Sequence, residues 1–175
     1  MSVLIDRMIR AARLDVQLYE EVEADTTAMG QAVAVVVISS VAAGVGSIGK
    51  SGIGGIIAAA VLALVAWYIW AYLAYFIGTK LLPEPQTEAD AGQLLRTIGF
   101  SSSPGTIRVL GIIPGFTGAI FFAASIWMLV AMVIAVRQAL DYKSTMRAVG
   151  VCIIGWIVQV LVFAALFSIV GIKPA

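Results

Sequence analysis

The chain has 175 residues, 61% apolar and only 12% charged, with a mean hydropathy of +1.03 and a formal net charge of +1. Soluble domains are nearer half apolar and a quarter charged, so these values exclude a soluble globular protein, and the apolar content excludes a disordered one. A single cysteine rules out an internal disulfide framework, the absence of histidine removes the commonest metal ligand and general base, and the charge balance gives nucleic acid no footing.

At the N-terminus, Asp6, Arg7, Arg10 and Arg13 interrupt any apolar core before one forms, which argues against a signal peptide. Ile5, Ile9, Ala12, Val16 and Tyr19 recur at helical spacing while Asp6, Arg10, Arg13 and Gln17 point elsewhere. This predicts an amphipathic helix, either lying at the cytoplasmic interface of a membrane or packed on the cytoplasmic ends of the spans. The acidic run Glu20–Asp25 then precedes the first span, which Asp25 or a threonine is expected to cap. Residues 1–25 therefore read as a cytoplasmic helix with an acidic cap, and 26–175 as one transmembrane helical domain.

Four windows lack any Asp, Glu, Lys or Arg: Thr27–Ile48, Ile53–Gly78, Phe116–Val136 and Val149–Val170, with 22, 26, 21 and 22 residues. About 20 apolar residues cross a hydrocarbon core, and only helices or closed barrels satisfy their backbone in lipid, so each window predicts a spanning helix. Between the first two, Gly44 to Ser51 matches the Walker A pattern literally. A P-loop needs a parallel sheet and a magnesium-supporting aspartate, and these flanks are long enough to cross a bilayer instead. The expected structure is a glycine-rich hairpin turn with a snorkelling Lys50, and no nucleotide is expected there.

Small residues surround that turn, with Ser40 and Gly44 before it, then Gly54 with Ala58 and Gly55 with Ala59 after it. Such four-residue spacing lets helices approach closely in lipid, so these positions are expected to pack spans one and two, or to mediate self-association. The second span ends in aromatics, Trp67 to Phe76, as interfacial belts do. Thr79–Gly92, with Pro83 and Pro85, reads as a cytoplasmic loop.

Leu94–Ile113 is the difficult segment, because Arg96, Arg108, three serines and Pro104 lie inside it. The distribution of basic residues decides the topology. With the N-terminus in the cytoplasm, four spans leave Arg137, Lys143 and Arg147 outside together with Lys50. Five spans return those three to the cytoplasm, place Arg108 within the membrane and leave only Lys50 and Lys173 outside. All ten carboxylates then share the cytoplasmic side. The fold expected is an all-α membrane bundle of about five spans, the third broken at Ser101–Gly105.

No span outside that segment carries an ionisable carboxylate, lysine or arginine, and Cys152 has no histidine partner, which leaves no catalytic constellation, no metal set and no cofactor motif. Trp127 and Trp156 read as packing residues whose indole N–H finds an internal acceptor. Arg108 with Ser101, Ser102 and Ser103 forms a candidate polar or lipid site. Arg108 is expected to turn from lipid toward freed carbonyls near Pro104 or toward lipid phosphates.

The chain resembles the bacterial branch of the Yip-domain family, integral membrane proteins related to the eukaryotic Ypt/Rab-interacting proteins. The resemblance rests on Arg13 with Tyr19, Glu20 and Asp25, on Gln31-Ala32, and on Leu94 to Phe100 running into Ser103-Pro104. Ile113-Pro114-Gly115, Trp127, Ala139 to Tyr142, Ser144-Thr145 and Ala148 complete it. It implies about five spans with a cytoplasmic N-terminus. The long N-terminal region and Asp-Leu-Tyr-Gly-Pro motif of the eukaryotic relatives are missing, so their link to small GTPases is not carried over. The expected function is a non-enzymatic scaffold or accessory subunit of the inner or plasma membrane, contacting the bilayer and other membrane proteins or itself. The alternative is a small transporter or channel for a neutral or amphiphilic solute.

Overall fold

The computed structural model describes the backbone of residues 2–170 and their side chains except those at 48–53, 163 and 165–170. The Lys50 and Ser51 side chains and Lys173 therefore lie outside the described residues. Seven α-helices form: α1 (Val3–Ala12), α2 (Val16–Ala24), α3 (Met29–Gly46), α4 (Ile48–Phe76), α5 (Ala91–Phe100), α6 (Thr117–Ala139) and α7 (Thr145–Val170). Among the described residues there is no strand. Four helical stretches, Thr26–Gly46, Gly54–Leu81, Thr117–Ala139 and Thr145–Val162, are long and apolar enough to cross a membrane. The chain is an all-α, multi-pass membrane protein.

The turn between α3 and α4 is tighter than a glycine loop. Ser47 alone leaves the helix, its N–H reaching the carbonyls of Ala43 and Gly44 and its hydroxyl donating to the same two. The Walker A pattern thus lies mostly in two helices, with no strand to seat a phosphate loop.

The broken segment carries the topology. α5 ends at Phe100, and after Ser101 and Ser102 the chain resumes as a ten-residue 3₁₀ helix, Ser103–Ile112, with Pro104 in its first turn. Pro104 has no amide donor to lose there, so the break and the restart share one cause. This composite segment runs parallel to α3 at very close range. A Cβ on Gly99 would lie 2.7 Å from Cβ of Ala32, one on Gly105 would strike Ser39, and one on Gly111 would lie 3.0 Å from the Gly46 carbonyl oxygen. Ala32, Ser39 and Gly46 are seven apart, two α-turns of about 10.5 Å. Gly105 and Gly111 are six apart, two 3₁₀ turns of about 12 Å. The two repeats keep step.

α4 ends beside the end of α6, where Leu140 packs on Gly78, and α7 then runs back along α4, with Gly155 against Trp70 and Gln159 donating to the Ala66 carbonyl. Both α4 and α6 descend toward the same end, so the α5–3₁₀ segment is the pass that returns the chain between them. The backbone traverses the length of the bundle five times. The last turn of α4 widens into a π turn, Ile77–Leu81, and the Tyr142 hydroxyl lies 3.0 and 2.8 Å from the carbonyls of Gly78 and Leu82. Burial pushes that phenol up to about 12, so it stays a donor.

One end of the bundle carries a polar collar. The predicted single N-terminal helix is instead a hairpin, because Leu14 adopts a left-handed conformation (φ 62°) and Asp15 caps α2 through the Gln17 N–H. The face of α1 turned inward is the one that carries Arg7, and its apolar stripe faces outward. Arg7 and Ala11 are buried, while Ile5 and Ile9 are 48% and 39% exposed. Arg7 can be buried because Glu21 (2.8 Å), Asp25 (2.9 Å) and Gln31 (3.1 Å) all receive its donors. α1 packs on the bundle, with the Trp127 indole donating to the Ala12 carbonyl at 2.8 Å. Arg96 is likewise buried, donating to the carbonyls of Val22 and Glu23 at the end of α2, where cations suit the helix dipole. Asp90 and Gln93 form a capping box that starts α5. Trp156, in contrast, is 65% exposed on the outer face of α7 and takes no part in internal packing.

Two expectations follow. A Cβ on Gly46 would fall on the carbonyl oxygen of Arg108, whereas one on Gly54 meets nothing within 4 Å. Gly46→Ala should lower the thermal midpoint in detergent, at a cost of about 1–3 kcal/mol. Gly54→Ala should be neutral or slightly stabilising, and equal effects from both would refute the close seam. The second concerns pH. Burial, with the charges of Asp141 and Glu20, raises the Glu23 carboxyl to about 7 from its ordinary value near 4.5. A raised folded-state value for a carboxyl means that stability falls as pH climbs through that interval. Glu23→Gln, which keeps the acceptor for Gln93, should raise the midpoint near pH 8 and leave it unchanged near pH 4. A gain of equal size at both would trace it to packing.

Candidate functional site

Arg108 and the three serines predicted beside it occupy two different places. Ser101 and Ser103 are buried in the packed middle of the bundle. The Ser101 hydroxyl donates back to the Ile98 carbonyl at 2.7 Å, Ser103 Oγ is enclosed without a partner, and Ser102 is half-buried. Arg108 stands five residues further along the 3₁₀ helix, about 10 Å toward the turn end of the bundle. That end holds the α3–α4 turn and the Ile113–Phe116 turn, where Gly115 takes a positive φ of 84°.

There Arg108 lines a partly open groove of about 240 Å³ between α3, α4 and α6. Its walls are mostly small: Ser40, Gly44 and Ser47 from α3, Gly55 and Ala59 from α4. The groove exists because Gly44 packs against Ile56, with a Cβ there only 2.8 Å from Cγ1, while neighbouring positions offer no side chain large enough to fill the space between the helices. Of the residues read as a helix-packing seam, Ser40, Gly44, Gly55 and Ala59 thus meet around this space. Gly54 and Ala58 turn outward and are exposed.

The guanidinium is sparsely satisfied. One Nη donates to Ser125 Oγ at 3.2 Å, the carbon centre sits 5.6 Å from the Phe121 ring centroid, and the buried Nε has no hydrogen-bond partner among the described residues. The attraction of a cation to an aromatic face supports its position but leaves donors free. Its described surroundings supply no counter-charge, since all ten Asp and Glu side chains belong to the hairpin α1–α2, the α4–α5 connection or the α6–α7 turn. The hydroxyls of Ser40 and Ser47 donate to carbonyls of their own helix, so the guanidinium is the group with donors to spare.

Sequence reasoning missed the two buried arginines. Arg7 and Arg96 sit in the collar, and their partners lie 14 to 74 positions away in the chain. Among the described residues no three Cys, Asp or Glu side chains converge as metal ligands. Cys152 is buried in α7.

The Yip1 domain profile matches residues 17–167, from α2 through most of α7, and so takes in the four long helices, the broken segment and the groove but not α1. No curated protein and no solved structure matches the chain. The match covers well over half of the sequence, and the chain belongs to the Yip1 domain family.

Proposed function

We propose that this protein is a non-enzymatic scaffold or accessory subunit of a membrane complex, from the bacterial branch of its family, embedded in the inner or plasma membrane with its N-terminus in the cytoplasm. The observation that carries this reading is the closed middle of the bundle. A conduit for solute needs a polar cavity lining the irregular backbone at mid-depth. Here Ser101, Ser103, Pro104 and Gly105 are buried, and Gly105 is filled in by Ser39 and the Met128 sulfur. A bundle closed at its break is suited to holding partners rather than passing solutes.

Five passes also distribute the charges as a five-span membrane protein requires. Arg7, Arg10, Lys80, Arg96, Arg137, Lys143 and Arg147 belong to the collar end, with Arg13 deeper beside Ala12 at the level of Trp127, and the positive-inside rule assigns that end to the cytoplasm. On this reading residues 1–25 are a cytoplasmic clasp on the bundle formed by 26–175. Outward contacts fall to the exposed small-residue stripe of Gly54 and Ala58, which admits a helix of another membrane protein or of a second copy at close range.

Two measurements test the proposal. A single cysteine at Lys143, in a Cys152→Ala background, should resist impermeant thiol reagents in intact cells. Ready labelling would place the α6–α7 turn outside and reduce the crossings to four. Purification in native lipid should recover a second chain, or a dimer, that Ala58→Leu releases without lowering the thermal midpoint. Reproducible recovery of a lone monomer from the wild type would sink the scaffold reading.

A further inference from the structure

We propose that the Arg108 groove binds the oxyanion headgroup of an anionic lipid, with the adjoining part of the molecule lying along α4. The inference goes beyond the scaffold reading and stands on different observations.

The first is chemical. Among the described residues Arg108 has unspent donors, a buried Nε without an acceptor and no Asp or Glu side chain at its end of the bundle. A guanidinium at an apolar surface is stabilised most by a planar or tetrahedral oxyanion, which it grips through two parallel N–H groups. Among the described residues nothing supplies one there. The second is depth. The Arg108 backbone lies against Gly46, five residues before Ile113, and its guanidinium sits beside Phe121 and Ser125, about 6–12 Å of α6 inside the turns. A lipid phosphate reaches that depth only by seating its headgroup in the groove.

The third is shape. About 240 Å³ falls below the roughly 300 Å³ at which pockets begin to enclose a whole small molecule. A partly open space of this size fits one end of a longer molecule whose remainder stays outside. From Gly55 to Ala63 the groove follows about 12 Å of α4. Beside it, Ile57, Val61 and Leu62 of α4 are exposed apolar side chains continuous with the bilayer-facing surface. An acyl chain leaving the groove passes onto surface that already faces acyl chains. A free inorganic anion satisfies the first observation but makes no use of the other two.

The test is a thermal-stability titration of the purified full chain in mixed micelles. The probes are phosphatidylglycerol, phosphatidylcholine at the same mole fraction, and inorganic phosphate without added lipid. Wild type should gain roughly 2–4 °C with phosphatidylglycerol, as about 1 kcal/mol of ligand stabilisation gives in a chain of this size. It should gain little with the other two. Arg108→Gln should lose the increment and Arg108→Lys keep part of it. Ala59→Leu, which retains the charge but fills the groove, should also lose it, so the proposal remains testable if Arg108→Gln folds poorly. An undiminished increment in Arg108→Gln or Ala59→Leu overturns the site. Equal increments from phosphatidylcholine remove the requirement for net anionic charge, and an equal increment from inorganic phosphate removes the lipid; either result overturns the proposal.

Discussion

The architecture depends on the parallel approach of α3 and the α5–3₁₀ segment. Ala32, Ser39 and Gly46 on one side and Gly99, Gly105 and Gly111 on the other bring two backbones closer than ordinary side chains allow. In lipid no solvent-driven force pulls helices together, so contact area and backbone proximity have to supply the association. That seam fixes the direction of the third pass, and α4 and α6 then run antiparallel to it and parallel to each other. It also fixes the height of Arg108, whose carbonyl rests where a Gly46 side chain would be.

The collar solves a different problem with the opposite chemistry. Buried arginines are costly unless every donor is met, and here acidic side chains and helix-end carbonyls meet them. The Glu21 carboxyl is held below its ordinary range by hydrogen bonds from Arg10 and then Arg7. Asp25 is held down by the Thr27 hydroxyl and then by Arg7. The polar end is therefore tied together by charges, the middle by small residues, and the turn end is left comparatively open around the groove.

Much of this was legible in the sequence. The four long helices were readable because lipid imposes a length and forbids charge, and both constraints are local. The break at Ser101–Gly105 was readable from Pro104 and the serines. Its continuation as a 3₁₀ helix was not, because that geometry answers to the seven-residue repeat of α3, some sixty residues earlier. The apolar spacing of Ile5 and Ile9 marks the face of α1 that stays exposed, while the inward face is set by Arg7 and its partners from α2, Asp25 and α3. Leu14 gives no sign in its side chain that the backbone reverses there. For the candidate site, the isolation of Arg108 from every carboxylate could be read directly. Its separation from the serines could not, since it depends on the 3₁₀ rise, and neither could its meeting with Ser40, Gly44 and Ala59.

The composite third pass also constrains the order in which the protein is assembled. Taken alone, a segment with Arg96, Arg108 and three serines partitions poorly into hydrocarbon, where a central arginine costs about 2.5–3.5 kcal/mol on insertion scales. Its polar groups are tolerable only when α3 already stands beside it to receive Gly99, Gly105 and Gly111. The order of synthesis provides this, since the α3–α4 hairpin emerges first and offers a template. Only the four residues Ile113–Phe116 separate the segment from the strongly apolar α6. On the proposed five-span topology the third pass enters the bilayer as the dependent half of a hairpin, drawn in by the helix that follows and seated by the one that came before.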